Sequence, residues 1–110
     1  MKSVASGLRA WLVQRVSALY ILLFLVFALA RFAVDPPRDY VSWHVWIGAS
    51  GMRVAALVFS AALIAHAWVG LRDVVMDYVH PLPVRLTVLG CIALALLALA
   101  LWLVLILVAA

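Results

Sequence analysis

The chain has 110 residues, of which 71% are hydrophobic and 11% charged, with a formal net charge of +4. A soluble domain carries charge on about a quarter of its residues, so this composition excludes an ordinary soluble domain. The basic residues argue against nucleic acid as a partner, because they bracket apolar runs instead of clustering in one patch.

Residues 1–14 are short, basic and mildly amphipathic, with Lys2, Arg9 and Trp11, and are expected at the membrane interface rather than in the bilayer. Arg15 follows, then an uncharged run from Val16 to Ala30, then Arg31 and apolar residues to Val34. With both arginines snorkelling to the headgroups, this predicts a first transmembrane helix at about 16–34. The basic start, apolar run and Ala28-Leu29-Ala30 also suit a cleavable signal peptide; the length and bulk of the run and its extended basic lead-in favour the span. Asp35-Pro36-Pro37-Arg38-Asp39 reads as a loop, since tandem prolines stop a helix and the charges seek water. Tyr40, Trp43 and Trp46 then form an aromatic belt at the membrane surface, where Ser42 is a candidate cap for a short interfacial helix.

Ser50 or Gly51 is the expected start of a second span, at about 52–72, which holds His66. The connection from Arg72 to Arg85 carries Asp73, Asp77, Tyr78, His80, Pro81 and Pro83. Leu86 to Ala110 is uncharged and predicts a third span at about 86–109. The single cysteine, Cys91, lies in this run without an intrachain partner and reads as a small packing residue. No internal repeat or linker divides the chain, which is therefore one all-α membrane domain over residues 1–110. Lys2, Arg9, Arg15, Arg72 and Arg85 fall on one side of the membrane and Arg31, Arg38 and Arg53 on the other. That bias predicts a cytoplasmic N-terminus and a C-terminus on the far side.

His66 is an ionisable group at membrane depth, which is costly and marks a candidate functional site. Ala62 and Gly70 flank it at i−4 and i+4, so the helix face around it is nearly bare. A bare face suits a flat, bulky group such as haem, for which neutral imidazole is a common iron ligand. The competing reading is a hydrogen bond to a neighbouring helix. His44 and His80 lie in loops, so a bis-histidine haem would take its second ligand from another chain. Asp77 and Tyr78 sit where the second helix meets water. They suit either simple interfacial anchoring or a quinone head-group site, where a phenol donates to a carbonyl oxygen and a carboxylate orients it or relays protons.

The stretch His66-Ala-Trp-Val-Gly70-Leu-Arg-Asp-Val-Val-Met-Asp77-Tyr78-Val-His-Pro81 resembles the H-A-W-x-G…D-Y…P signature of the small cytochrome b membrane anchor of succinate dehydrogenase, complex II. Arg15-Val-Ser-Ala-Leu-Tyr20 resembles the R-x-[ST]-A segment that opens that family's first helix, and Tyr40 through Trp46-Ile47-Gly48 its V-W-I-G segment before the second. The resemblance covers most of the chain and implies a place in a larger helix bundle of unlike subunits. It implies His66 as an axial ligand to haem b iron, Tyr78 as a hydrogen-bond donor to ubiquinone with Asp77 beside it, and Arg15 near the haem propionates or quinone. It further implies a companion cytochrome b anchor subunit supplying the second haem ligand, an iron-sulfur subunit, a flavoprotein subunit where succinate is oxidised, and a bacterial inner membrane. Leu71-Arg72-Asp73 is more charged than the family pattern; Arg72 and Asp73 form a local pair or meet the iron-sulfur subunit. Rival readings are a fumarate reductase-type anchor, a homodimeric cytochrome b, and a non-redox assembly or accessory protein.

Overall fold

The computed structural model describes residues 4–109, all in helices or short connections. Four helices follow one another: α1 (Val4–Val34), α2 (Tyr40–Gly48), α3 (Ser50–Tyr78) and α4 (Leu82–Ala109). Three of them are long and apolar enough to cross a membrane, over Gly7–Val34, Ser50–Tyr78 and Leu82–Ala109. Helices are the expected solution, because a lipid-embedded backbone must satisfy its own hydrogen bonds. Hydroxyls in the apolar helices do the same: Ser60 donates to the Ala56 carbonyl and Thr87 to that of Pro83.

Two helices exceed the expected spans. The stretch before Arg15 is continuous with α1 from Val4 onward. It contains no proline, and its Ala, Leu, Arg and Gln residues favour helix, so nothing interrupts the ladder. At about 1.5 Å per residue, α1 is roughly 46 Å long, against a hydrocarbon core of about 30 Å, so one or both of its ends must stand outside that core unless it tilts steeply. Lys2 lies outside the described residues. Likewise α3 runs through Arg72, Asp73 and Asp77 to Tyr78, where the sequence suggested a connection. Only Val79–Pro81 then remain between α3 and α4. Arg85 ties this turn together. Its guanidinium donates from Nε to the Val79 carbonyl at 2.8 Å and from Nη2 to that of Met76 at 3.3 Å. A cation there suits the carbonyl end of a helix. Pro83 falls in the first turn of α4, where a missing N–H costs no intrahelical bond.

The cap of α2 is Asp39, not Ser42. Its extended backbone (φ −152°, ψ 177°) starts the helix one residue before Tyr40, and its carboxylate accepts from the Ser42 N–H at 2.8 Å. Those donated hydrogen bonds, the backbone one first and then one from the Ser42 side chain, hold the exposed Asp39 carboxyl below its ordinary pKa. With nine residues, α2 is too short to span a bilayer. Its Trp46 packs on Phe32 with ring centroids 5.2 Å apart.

Helix α3 lies between α1 and α4 and packs against both. It runs antiparallel to α1, since the pairs Ser17–His66 and Phe24–Phe59 advance along the two helices in opposite directions. Ser17 meets His66, Tyr20 donates its hydroxyl to the Ala55 carbonyl at 2.8 Å, and Phe24 stacks on Phe59 at 4.4 Å. The interior is thin: among the described residues the buried apolar side chains are Ala56, Val69, Val75 and Leu107. Cys91 is exposed on α4 rather than packed inside the chain.

Candidate functional site

The polar residues of α1 lie on one stripe. Gln14, Ser17 and Tyr20 recur every three residues, which puts them on one helix face. That face meets α3. Lipid would leave such groups without partners, so they turn to the neighbouring helix. On α3 the matching stripe is His66, Gly70 and Asp73, at i, i+4 and i+7.

Between the stripes, toward the N-terminal end of α1, lies a cleft of about 640 Å³. Trp11, Gln14, Arg15 and Ala18 line it from α1, and His66, Val69, Arg72 and Asp73 from α3. His66 is partly buried at its wall, with Nδ1 3.1 Å from the Ser17 hydroxyl. Ser17 is 7% exposed and also donates to the Gln14 backbone carbonyl at 3.2 Å. The Arg15 guanidinium carbon stands 5.6 Å from the centre of the Trp11 ring, within cation–π range. Arg72 and Asp73 make a local pair at 3.3 Å, with side chains 33% and 59% exposed. An ion pair that exposed is worth less than about 1 kcal/mol.

Two buried polar atoms in this region have no partner within the chain: Gln14 Oε1 and Arg72 Nε. An unsatisfied buried polar group costs about 1–3 kcal/mol, so such atoms point to an absent ligand or subunit. The cleft thus offers one imidazole, two guanidinia and a spare carboxamide oxygen. That set can ligate a metal through one nitrogen and pair with carboxylates at the rim. Among the described residues no group of three or more His, Cys, Asp or Glu side chains could hold a metal ion.

The bare face expected around His66 is partly used by the fold itself. A Cβ on Gly70 would lie 3.6 Å from Gln14 Nε2, an ordinary van der Waals contact, so the Gln14 side chain of α1 covers part of that face. Ala62 faces a separate apolar groove beside Val16 and Tyr20. His66 and Arg15 are brought together; Asp77 and Tyr78 are not part of their cleft. Tyr78 is the last residue of α3 and is 78% exposed. It stands twelve residues beyond His66, about 18 Å along the helix. Gln14 and Ser17 join the site without a role having been read for them, although the three-residue spacing of polar side chains on α1 is visible in the sequence; Arg72, read as a partner of Asp73 or of the iron-sulfur subunit, lines the cleft as well.

The chain matches, over residues 2–109, a family described as succinate dehydrogenase/fumarate reductase transmembrane subunit. It is 31% identical over 96 residues to a protein of Coxiella burnetii (strain RSA 493 / Nine Mile phase I) named succinate dehydrogenase hydrophobic membrane anchor subunit. That match covers 87% of this chain and 84% of the relative.

Proposed function

We propose that this chain, which belongs to the succinate dehydrogenase/fumarate reductase transmembrane subunit family, anchors a succinate:ubiquinone oxidoreductase in the bacterial inner membrane and completes its haem and quinone sites. His66 would be this chain's ligand to haem b iron, with a second ligand from a companion cytochrome b anchor subunit. The observation that carries this reading is His66 itself: a lone imidazole on the wall of a cleft between two long apolar helices, with arginines at the rim and buried polar atoms left unpartnered. The chemistry fits haem, whose iron takes an imidazole nitrogen and whose carboxylates suit Arg15 and Arg72. When bound, haem would supply a one-electron carrier.

Tyr78 donates a hydrogen bond to a ubiquinone carbonyl, and Asp77, next in the chain, orients the phenol or relays protons from water. The exposure of Tyr78 supports this, since a lipid-soluble substrate and a docked iron-sulfur subunit must both reach it. Succinate is oxidised on a flavoprotein subunit, whose electrons arrive through that iron-sulfur subunit. Arg9, Arg15, Arg72 and Arg85 share one end of the bundle with Tyr78, which favours that end, and the N-terminus, on the cytoplasmic side, with the C-terminus in the periplasm.

The test is a dithionite-reduced minus oxidised visible spectrum of the purified complex, wild type beside His66→Ala. A b-type signal that vanishes in His66→Ala, with flavin still co-purifying, is the expected result. An undiminished signal would assign the iron to other ligands.

A further inference from the structure

We propose that Ser17 is a positioning residue for His66: its hydroxyl selects the imidazole tautomer with hydrogen on Nδ1, leaving the Nε2 lone pair free for iron. The inference rests on His66 being the haem ligand, as above.

A serine hydroxyl has one hydrogen to donate and two lone pairs to accept with. Ser17 donates its hydrogen to the Gln14 carbonyl at 3.2 Å, one turn back on α1. Its remaining capacity is to accept, and the atom within reach is His66 Nδ1 at 3.1 Å. A nitrogen that donates to Ser17 must carry hydrogen, so a neutral ring keeps its lone pair on Nε2. The reverse arrangement, Ser17 donating to Nδ1, would place hydrogen on Nε2 and deny iron its ligand.

Burial gives this choice its force. Ser17 is 7% exposed, the one buried polar residue among those described, so water is poorly placed to replace it. The bond back to its own helix fixes the hydroxyl, and α1 holds it against α3 through Tyr20 and Phe24. Partners of this kind, on the far nitrogen of a ligating histidine, set ring orientation and raise ligand basicity.

The experiment compares Ser17→Ala, Ser17→Thr and His66→Ala in the purified complex, with flavin content as the check on assembly. The readouts are haem retained on dilution, haem midpoint potential by redox titration, and the low-spin ferric electron paramagnetic resonance signal. Ser17→Ala should hold haem about 10–100-fold less tightly. Its potential should rise and its resonance shift, because an imidazole without an Nδ1 acceptor donates less to ferric iron. Ser17→Thr, which keeps the hydroxyl, should restore all three. If Ser17→Ala fails to assemble, Ser17→Cys keeps the volume with a poor hydrogen-bonding group and should show the same losses. Wild-type affinity, potential and resonance in Ser17→Ala, alongside haem loss in His66→Ala, would overturn the proposal and leave the ligand assignment standing. Equal impairment of Ser17→Thr and Ser17→Ala would also overturn it, since packing volume would then be the cause. Full haem retention in His66→Ala would remove the ligand assignment and this inference with it.

Discussion

His66 and Tyr78 share one helix but stand in different surroundings. His66 is half enclosed by α1, while Tyr78 ends α3 with most of its surface open. Their separation, about 18 Å along the helix, makes the two sites separable by mutation. Tyr78→Phe removes only the phenol oxygen at an exposed position, so folding and haem content should be unchanged. Succinate-driven quinone reduction should fall by about 10²-fold or more, the usual scale for a positioned proton donor. Steady-state turnover measured beside the reduced-minus-oxidised spectrum checks both halves of that expectation. Normal turnover in Tyr78→Phe would count against the assigned quinone contact. His66→Ala is the converse experiment: it should lose the b-type spectrum.

At the scale of the element, α1 and α3 are joined by few polar contacts, so each has a measurable share. The Tyr20 hydroxyl donates to a helix carbonyl across the interface. Interhelical hydrogen bonds in membranes are worth about 0.6–2 kcal/mol, and Tyr20→Phe should destabilise the complex by that order, read as earlier thermal loss of bound haem. The stack of Phe24 on Phe59 would remain to hold the helices together. Helix α2 depends on a different contact. The Asp39 carboxyl, held below its ordinary pKa by hydrogen bonds from Ser42, contributes its capping stability fully above the unfolded-state value. That contribution is lost as pH falls through the lowered folded-state value. Amide hydrogen exchange in α2, referred to unstructured-peptide rates, should therefore be flat with pH near neutrality and lose protection in strong acid. In Asp39→Asn, which keeps a capping oxygen without the charge, the acid-dependent step should disappear.

Over the whole molecule, dimensions of 51 × 25 × 21 Å describe a slab of helices with almost no interior. No side chain among the described residues is fully sealed from the surface, and large apolar residues stand exposed along every long helix. Lipid accounts for part of that surface. The partnerless Gln14 Oε1 and Arg72 Nε at the His66 cleft call for something more specific, a role open to the companion subunit and haem proposed above. Expressed alone, the chain should therefore fail to show a six-coordinate low-spin haem spectrum, and co-expression with the companion anchor should restore it. A full b-type spectrum from the isolated chain would indicate instead that two copies share one iron.

The sequence by itself determined the number of long apolar helices, their order and the position of a lone histidine within the second of them. Those follow from local hydropathy, from prolines and from the cost of a polar side chain in hydrocarbon, which act residue by residue. The family was legible too, because the run from His66 to Pro81 lies within one helix and its exit turn. Helix ends were less legible. Charge suggested that the second span stopped at Arg72, but with no proline before Pro81 the backbone ladder carried α3 on to Tyr78. The cap of α2 likewise depended on which residue adopted an extended backbone, and that was Asp39 rather than Ser42. Only the tertiary structure decided what surrounds His66. Ser17 lies 49 residues away in the chain, and Gln14 reaches Gly70 across the interface; both contacts require α1 to pack antiparallel to α3 in one register. Register is a property of two helices together, shown by Ser17 on His66 and Phe24 on Phe59, and no single-helix pattern encodes it.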